Sequence, residues 1–515
     1  HPRTMKHPST PPSNPTKRPN THPQSPISPL PSPPPLPLDI SETTWAALMQ
    51  KTPRLMLSTV HAALGNLLRK DILSSLPPEL SVKILSHLPS EDLRSVSAVC
   101  RKWNQLATTH PELWNRLLLT EGLITEDELS KEKDFPSRIV YDIRRRVLKR
   151  WMDPSYNPKR YTLQTGEILN VVTCLQLDDD KIAAGSNTNQ ILIYNTSTGS
   201  LRHTLKGHTG GVWAMKFYKN ILASGSTDRT VRIWNLDTGR CTHVFKGHTS
   251  TVRCLEIIEP QQIGTDVMGR PIIFPTEPLL ITGSRDTTLY VWKLPLTTNS
   301  TTPIELDANT NPNLLFVLKG HVASVRAVAG HGRILISGSY DATARVWDLT
   351  TGECLHVLNG HTDRIYSCVY DVVRNRAYTG SADNTVRIWD LSTGECTAIL
   401  EGHTILVGLI SSSPNVLVSA AADSTVRIWD PDTGVPRHVL RGHTSAITCV
   451  ENDDYRVVSG SQGMLKLWNA KTGEFIRNMV EDIDGAVWQV AFDYKRCVMA
   501  VQKGECTRIE VADFS

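Results

Sequence analysis

Six histidines, each preceded by glycine, stand at 208, 248, 321, 361, 403 and 443. Aspartates follow in GSTD, GSRD, GSYD, GSAD and SAAD strings, and tryptophans at 234, 292, 347, 389, 429 and 468. Ser, His and Asp together are the makings of an acyl-transfer relay. A single active site does not recur at a fixed period, however, whereas a buried hydrogen-bond chain inside each repeated unit does. The recurring set is therefore architectural, and function belongs to positions where one unit departs from its siblings. Arginine supplies the departure: Arg253, Arg285 and Arg326 fall in two neighbouring units and Arg229 in the one before, with Trp213, Tyr340 and Tyr366 beside them. Like charges held together call for a bridging anion, and planar guanidinium forks suit phosphate oxygens. A phosphorylated Ser or Thr brings about −1.5 to −2 charge and three acceptor oxygens. Asp228 and Asp286 stand close enough in sequence to pair with these arginines, but the repeated network already claims them.

Such convergence presupposes units arranged around an axis. The spacings between the Gly-His pairs are 40, 73, 40, 42 and 40 residues. Within each period a β-rich run, a Gly-Ser-x-Asp-like turn, a strand ending in Trp and a Thr-Gly turn imply four short antiparallel strands, the content of a propeller blade. Two degenerate units flank the six, one at 182–195 with Tyr194 in the Trp column and one at 485–513. That makes eight blades, with seven as the fallback if the last is only a closing strand. Two columns vary on the narrow face. One reads Thr173, Trp213, Arg253, Arg326, Tyr366, Gly408, Thr448 and Trp488; the other reads Asn187, Thr227, Arg285, Tyr340, Ala382, Ala422 and Gln462. The third blade is overlong, with insertions at 259–278 and 295–315 that open on the opposite rim and leave the arginine face clear.

Upstream the character changes. Residues 1–38 hold 14 of the 32 prolines and read as a disordered Pro/Ser-rich tail. Residues 39–72 carry apolar residues at helical spacing, broken near Pro53. In 73–120, Pro77 and Pro78 suit a first helical turn, and Leu80, Ile84, Leu85 and Leu88 form one apolar face before Pro89 stops the helix. So wide an apolar face on three small helices predicts a partner. A helical linker spans 121–158; in it Val140, Ile143, Val147 and Trp151 line one side, and Arg144, Arg145, Arg146, Lys149 and Arg150 a solvated one. The fold class expected is thus mixed multidomain, all-α before 158 and all-β propeller over 160–515.

Composition agrees with a soluble chain: 21% charged, 40% hydrophobic, and +4 net from 55 basic and 51 acidic residues, too balanced to suggest nucleic-acid or membrane binding. Ten cysteines without a C-x-x-C pair read as buried free thiols, and neither metal nor cofactor is expected.

The repeats resemble WD-repeat propellers over two thirds of the chain. Residues 74–118 resemble an F-box, through Leu76-Pro77, the helix ending at Leu88-Pro89, and Cys100-Arg101-Lys102-Trp103. Together with GHTGGVW, GSTDRT, GHTSTVRC, GSRD and GHVASVRAV, they resemble the cell-division-control type of F-box/WD-repeat substrate receptor in SCF ubiquitin ligases. The resemblance implies a non-catalytic protein whose propeller binds phosphorylated Ser/Thr-Pro degrons through Arg229, Arg253, Arg285 and Arg326. Ser250, Thr251, Tyr340 and Tyr366 would surround the phosphate, and Trp213 would wall the pocket for the following residue. It further implies recruitment of the Skp adaptor, and through it a cullin-RING ligase, by Leu76, Pro77, Leu80, Ile84, Leu85, Leu88 and Trp103. A homodimer through 40–72 and a nuclear location, with the cytoplasm as second compartment, are also implied. Where family members carry a further basic residue in the last blade, this chain has AVQKGE, with Lys503. The competing reading is a WD-repeat scaffold unconnected to ubiquitin.

Overall fold

The computed structural model describes residues 71–515 apart from 132–134, 164–170, 267, 297–301 and 482, together with scattered positions between 53 and 63. The expected tail at 1–38 and most of the 39–72 segment lie outside these residues; Arg54, Met56 and His61 within that segment are helical. The chain divides into two units, 1–81 and Val82–Ser515. In the first, α1 (Ile72–Ser75) is capped by Asp71, whose Oδ1 accepts from the Ser74 amide at 2.9 Å. Ser81 Oγ donates to the Leu73 carbonyl at 2.8 Å. Here α2 (Pro78–Leu85) begins, with proline at its first position, where a missing N–H costs nothing.

The second unit contains α3 (Ser90–Val99), α4 (Arg101–Thr109), α5 (Pro111–Thr120), α6 (Glu126–Lys131) and α7 (Ser137–Met152), followed by eight radial sheets. Blades 1 to 8 begin with Val172–Leu177, Val212–Tyr218, Val252–Ile258, Val325–His331, Ile365–Asp371, Val407–Ser413, Ile447–Asn452 and Val487–Phe492. The eighth is a full blade. Its outermost strand, Lys159–Thr162, precedes blade 1 in sequence and pairs antiparallel with Cys506–Asp513, so the ring is closed by joining its two ends in one sheet. The insertion at 259–278 folds as a separate hairpin, Gln261–Thr265 with Pro271–Phe274. From the insertion at 295–315, Ile304–Asp307 adds a fifth strand to blade 2, parallel to Arg240–Lys246.

The repeated polar set is buried as expected, complete in five blades. In blade 2, Trp234 Nε1 donates to Ser224 Oγ (2.8 Å), Ser224 meets His208 Nε2 (2.8 Å), and His208 Nδ1 meets Asp228 Oδ2 (2.7 Å). Burial lowers the pKa of His208, so the ring is neutral, with its proton on Nδ1 facing the carboxylate. Blades 3 and 5 use Thr282 and Thr379 in place of the serine. In blade 7, Gly463 occupies the turn position that holds aspartate in blades 2 to 6, and His443 Nδ1 meets Ser461 Oγ instead (2.7 Å). At Gly320, φ is +159°, and an added Cβ would lie 2.6 Å from Nη1 of Arg345.

Three sequence expectations need correction. Arg144 is not on a solvated face: it is 6% exposed, 3.8 Å from the centroid of the Tyr494 ring and 3.6 Å from Glu128. Arg145 pairs with Glu121 at 2.8 Å, and Arg150 donates to the Phe514 carbonyl at 3.1 Å. Ile143, expected on the buried side, is exposed instead. Arg146 and Lys149 are exposed as expected, whereas Arg144 and Arg150 fasten α7 to blade 8, where Trp151 stacks on Phe514 at 3.9 Å and donates to the Tyr494 carbonyl at 3.0 Å. Among the cysteines, all free, Cys254, Cys368, Cys449 and Cys497 are buried, but Cys100 is exposed in the break between α3 and α4.

Beside this joint, Glu451 Oε2 accepts from the Phe492 amide at 2.9 Å, and burial raises its pKa to about 8. A carboxyl bound more tightly to its proton in the folded state contributes stability below the unfolded value, lost as pH rises toward 8. Glu451→Gln should therefore gain stability over the wild type by more than ~1 kcal/mol between pH 5 and pH 8.5 in chemical denaturation. A difference independent of pH would contradict this.

Candidate functional site

The first variable column has a common backbone cause. In every blade the pairing of the first two strands slips at the second residue of the first strand, between Val252 and Cys254 in blade 3 and between Val325 and Ala327 in blade 4. Thr173, Trp213, Tyr366, Gly408, Thr448 and Trp488 occupy the same bulge elsewhere. A bulge residue is released from the ladder and its side chain re-aimed. The second column lies beside it, because six of its seven members donate their amide to the carbonyl just before the first strand, Gln462 donating to Ser445 Oγ instead. Arg285 N to Thr251 O (2.9 Å) and Tyr340 N to Ser324 O (2.9 Å) are examples. Ser284 Oγ also donates to the Ser250 carbonyl at 3.2 Å, so Ser250 and Thr251 flank Arg285 through their main chain.

A third column emerges only in three dimensions. The turn between second and third strands places one residue of every blade in the left-handed region: Asn189, Arg229, Thr287, Ala342, Asn384, Ser424, Gly463 and Gly504. Most are small or Asn, as that conformation favours. Arg229, at φ +70°, is the long cation among them, and backbone strain of this kind concentrates at functional positions.

The structure brings Arg253, Arg285 and Arg326 together. Arg253 Cζ lies 5.0 Å from the Trp213 ring centroid, and Trp213 is 37% exposed. Burial, then the neighbouring Arg326 and Arg285, push the Arg253 guanidinium below its ordinary pKa. The Nε atoms of Arg253 and Arg326 are buried without a hydrogen-bond partner. Among the described residues, no carboxylate lies within ion-pair distance of Arg229, Arg253, Arg285 or Arg326. Asp228 is committed to His208 and Thr209 N through one oxygen and to Thr230 through the other; Asp286 is bound likewise. Tyr340 and Tyr366 are 5.1 Å apart, and Arg364, which sequence reasoning missed, lies 5.5 Å over the Tyr340 ring. Arg364 stands in none of the compared columns, two residues before the bulge, so column comparison passed over it. Lys503 is tied to Glu510 at 2.6 Å. The arrangement is a cluster of unpaired guanidiniums with aromatic walls, suited to a phosphate on an extended chain.

In the helical region, Leu80 of the first unit is 50% exposed. In the second, Ile84 is 46% exposed and Val99 is exposed as well. Leu76, Leu88 and Trp103 are half-buried and Pro77 exposed. Leu85 is fully buried, so it packs inside the module instead of lying on an outward face as expected.

Residues 73–120 match the family model described as F-box-like. Residues 199–235, 239–293, 312–348, 352–390, 394–430 and 434–469 match that for the WD domain, G-beta repeat. The chain is 50% identical over 493 residues to cell division control protein 4 of Candida albicans, covering 91% of this chain and 72% of that protein. It is 40% identical to WD repeat-containing protein pop2 of Schizosaccharomyces pombe, over 87% of this chain and 66% of that one. Cell division control protein 4 of Saccharomyces cerevisiae is 38% identical, over 91% of this chain and 64% of that one. Among solved structures, the computationally designed Ika8 protein superposes with a TM-score of 0.56 at 28% identity, covering 68% of this chain and 99% of the design.

Like charges held together repel one another. Arg326→Gln should raise the free energy of unfolding by about 0.5–1 kcal/mol at low salt without ligand, with the gain fading at high salt. Urea denaturation at two ionic strengths measures it; a loss of stability at low salt would contradict the expectation.

Proposed function

The chain belongs to the F-box/WD-repeat proteins that include cell division control protein 4, and on that premise we propose that it is a substrate-recognition subunit of an SCF ubiquitin ligase. The propeller binds a phosphorylated Ser/Thr-Pro segment, and the F-box recruits the Skp adaptor and, through it, a cullin-RING ligase. The observation that carries the reading is the set of arginines without carboxylate partners, held between Trp213 and the Tyr340–Tyr366 pair. A phosphate would replace mutual repulsion among the guanidiniums by charge-assisted hydrogen bonds. Trp213 gives an apolar wall for the proline that follows.

Exposed Leu80, Ile84 and Val99 support adaptor docking, because apolar side chains at such positions are covered in stable assemblies. The joint of α7 with blade 8 supports a fixed arm between adaptor and peptide. The chain itself then performs no covalent chemistry, and its contribution to ubiquitin transfer is proximity.

Two substitutions separate the two functions. Arg285→Ala should weaken binding of a singly phosphorylated Ser/Thr-Pro peptide at least a hundredfold by fluorescence polarisation while adaptor capture stays intact. Ile84→Asp should do the reverse. Wild-type phosphopeptide affinity in Arg285→Ala, or no preference of the wild type for phosphorylated over unphosphorylated peptide, would refute the assignment.

A further inference from the structure

A cavity of about 520 Å3 lies where the turn after α5, the second half of α7 and blade 7 meet. Its blade-7 wall, Tyr455, comes just after the first strand Ile447–Asn452, whereas the bulge residue Thr448 is second in that strand. The cavity is therefore at the opposite end of the strand from the bulge column. Leu123, Leu148 and Met152 supply an apolar side. The Tyr455 ring is fixed by its hydroxyl, which donates to the Glu121 carbonyl. A cavity of this size, with an apolar side and a few placed polar groups, has the make-up of a small-molecule site.

The polar groups are unequal in sign: Arg145, Lys149 and Lys471 line the cavity with one carboxylate, Glu121. Glu121 Oε2 accepts from Arg145 Nη1 and from the Tyr141 hydroxyl, both at 2.8 Å, and Arg145 Nη2 lies 3.8 Å from exposed Glu91. Along the same seam Arg456 is paired with Asp453 at 2.5 Å and Arg144 with Glu128 at 3.6 Å. Lys149 and Lys471 are different. Both are exposed, and among the described residues no carboxylate lies within ion-pair distance of either. The neighbouring acids are engaged elsewhere: Asp454 accepts from Ser413 Oγ and Asn415 Nδ2, each at 2.7 Å, and Glu474 from Thr472 Oγ1 at 2.9 Å. The Lys471 ammonium is held over the cavity wall, 4.0 Å from the centroid of the Tyr455 ring. Its turn is pinned by His438, whose Nε2 donates to the Lys471 carbonyl at 2.9 Å.

Two ammoniums without counter-ions beside an apolar wall call for a dianion carried on an apolar body. A phosphate monoester brings about −1.5 to −2 charge and three acceptor oxygens, and lysine meets it as a compact point charge. We propose that this seam cavity binds a small organic phosphate, with its phosphoryl group between Lys149 and Lys471 and its apolar part on Leu123, Leu148 and Met152. Such a ligand touches α7, the turn after α5 and blade 7 at once. Because it binds only where these three are packed together, it stabilises their packing by mass action. The site thus puts the helical arm under the control of a small anion, independently of what the arginine cluster captures.

The probe is 1-naphthyl phosphate, followed by its fluorescence, with 1-naphthol and inorganic phosphate as its separate halves. All titrations use the full chain carrying Arg285→Ala, which silences phosphate capture at the arginine cluster. The probe should bind roughly tenfold or more tighter than either half, because charge and apolar area act together. Replacing both lysines, Lys149→Gln with Lys471→Gln, should weaken it roughly tenfold or more through loss of the charge-assisted contacts. Lys149→Arg with Lys471→Arg keeps both charges and should retain affinity within about threefold, which separates loss of charge from damage to the fold. At saturation, hydrogen exchange should slow for the amides of residues 145–152 and of Tyr455. Undiminished affinity in the glutamine variant overturns the proposal. So do an equal loss in the arginine variant, inorganic phosphate binding as tightly as the ester, and protection confined to the arginine end of the ring.

Discussion

A carboxylate inside each of five blades is the constraint on which the rest of the structure depends. Burying it demands donors on every side, and each aspartate has four. In blade 2 they are the His208 ring, the Thr209 amide, the Thr230 amide and the Thr230 hydroxyl. These donors come from the loop before the first strand and from the turn between the second and third. The carboxylate thus ties together the two segments that carry the variable columns. Hydrogen bonding to the charged form holds Asp228, Asp286 and Asp341 well below the usual carboxylate range despite burial. Blade 7, with Gly463 in that turn, keeps the Trp468–Ser459–His443 portion, and there burial pushes the His443 pKa down to about 4.

Because the network occupies its own acids completely, a cation added to the neighbouring columns finds no counter-ion nearby. Repetition of the fold requires nothing charged at the bulge: glycine, threonine, tyrosine and tryptophan all serve. Arginine at Arg253 and Arg326 is accordingly a choice the scaffold does not need, retained against mutual repulsion and the burial of two Nε atoms. The hydrogen-bonded loops beside them fix where these side chains start, so the cost of clustering is also preorganisation for an anion.

The repeat and its ring were readable from sequence because their determinants are local to one period: a glycine under a guanidinium, a tryptophan on a serine, a turn around an aspartate. The arginine cluster was readable as a departure from that period. What stayed hidden depends on residues far away in the chain. Arg144 reads as one member of a basic run, and its burial follows from Tyr494, 350 residues later. Ile304–Asp307 looks like loop until the edge of blade 2 is there to receive it. Arg229 is identifiable as an arginine, but its left-handed backbone follows from a turn geometry shared by all eight blades. Leu85 and Ile84 are neighbours of equal hydrophobicity, and only the packing of the helix decides which one faces inward.

Closure of the ring also imposes an order in time. Lys159 pairs with Asp513, so a strand made before the first blade must wait for nearly the whole propeller to be synthesised. At roughly 5–20 residues per second the delay is on the order of tens of seconds. Throughout it, Lys159–Thr162 lacks the Cys506–Asp513 strand with which it pairs, and Trp151 lacks the Phe514 on which it stacks. The helical arm therefore emerges from the ribosome long before its seat exists. A chain interrupted in the last ten residues would complete seven blades yet leave a ring with two open edges, which quality control can recognise by its exposed strands.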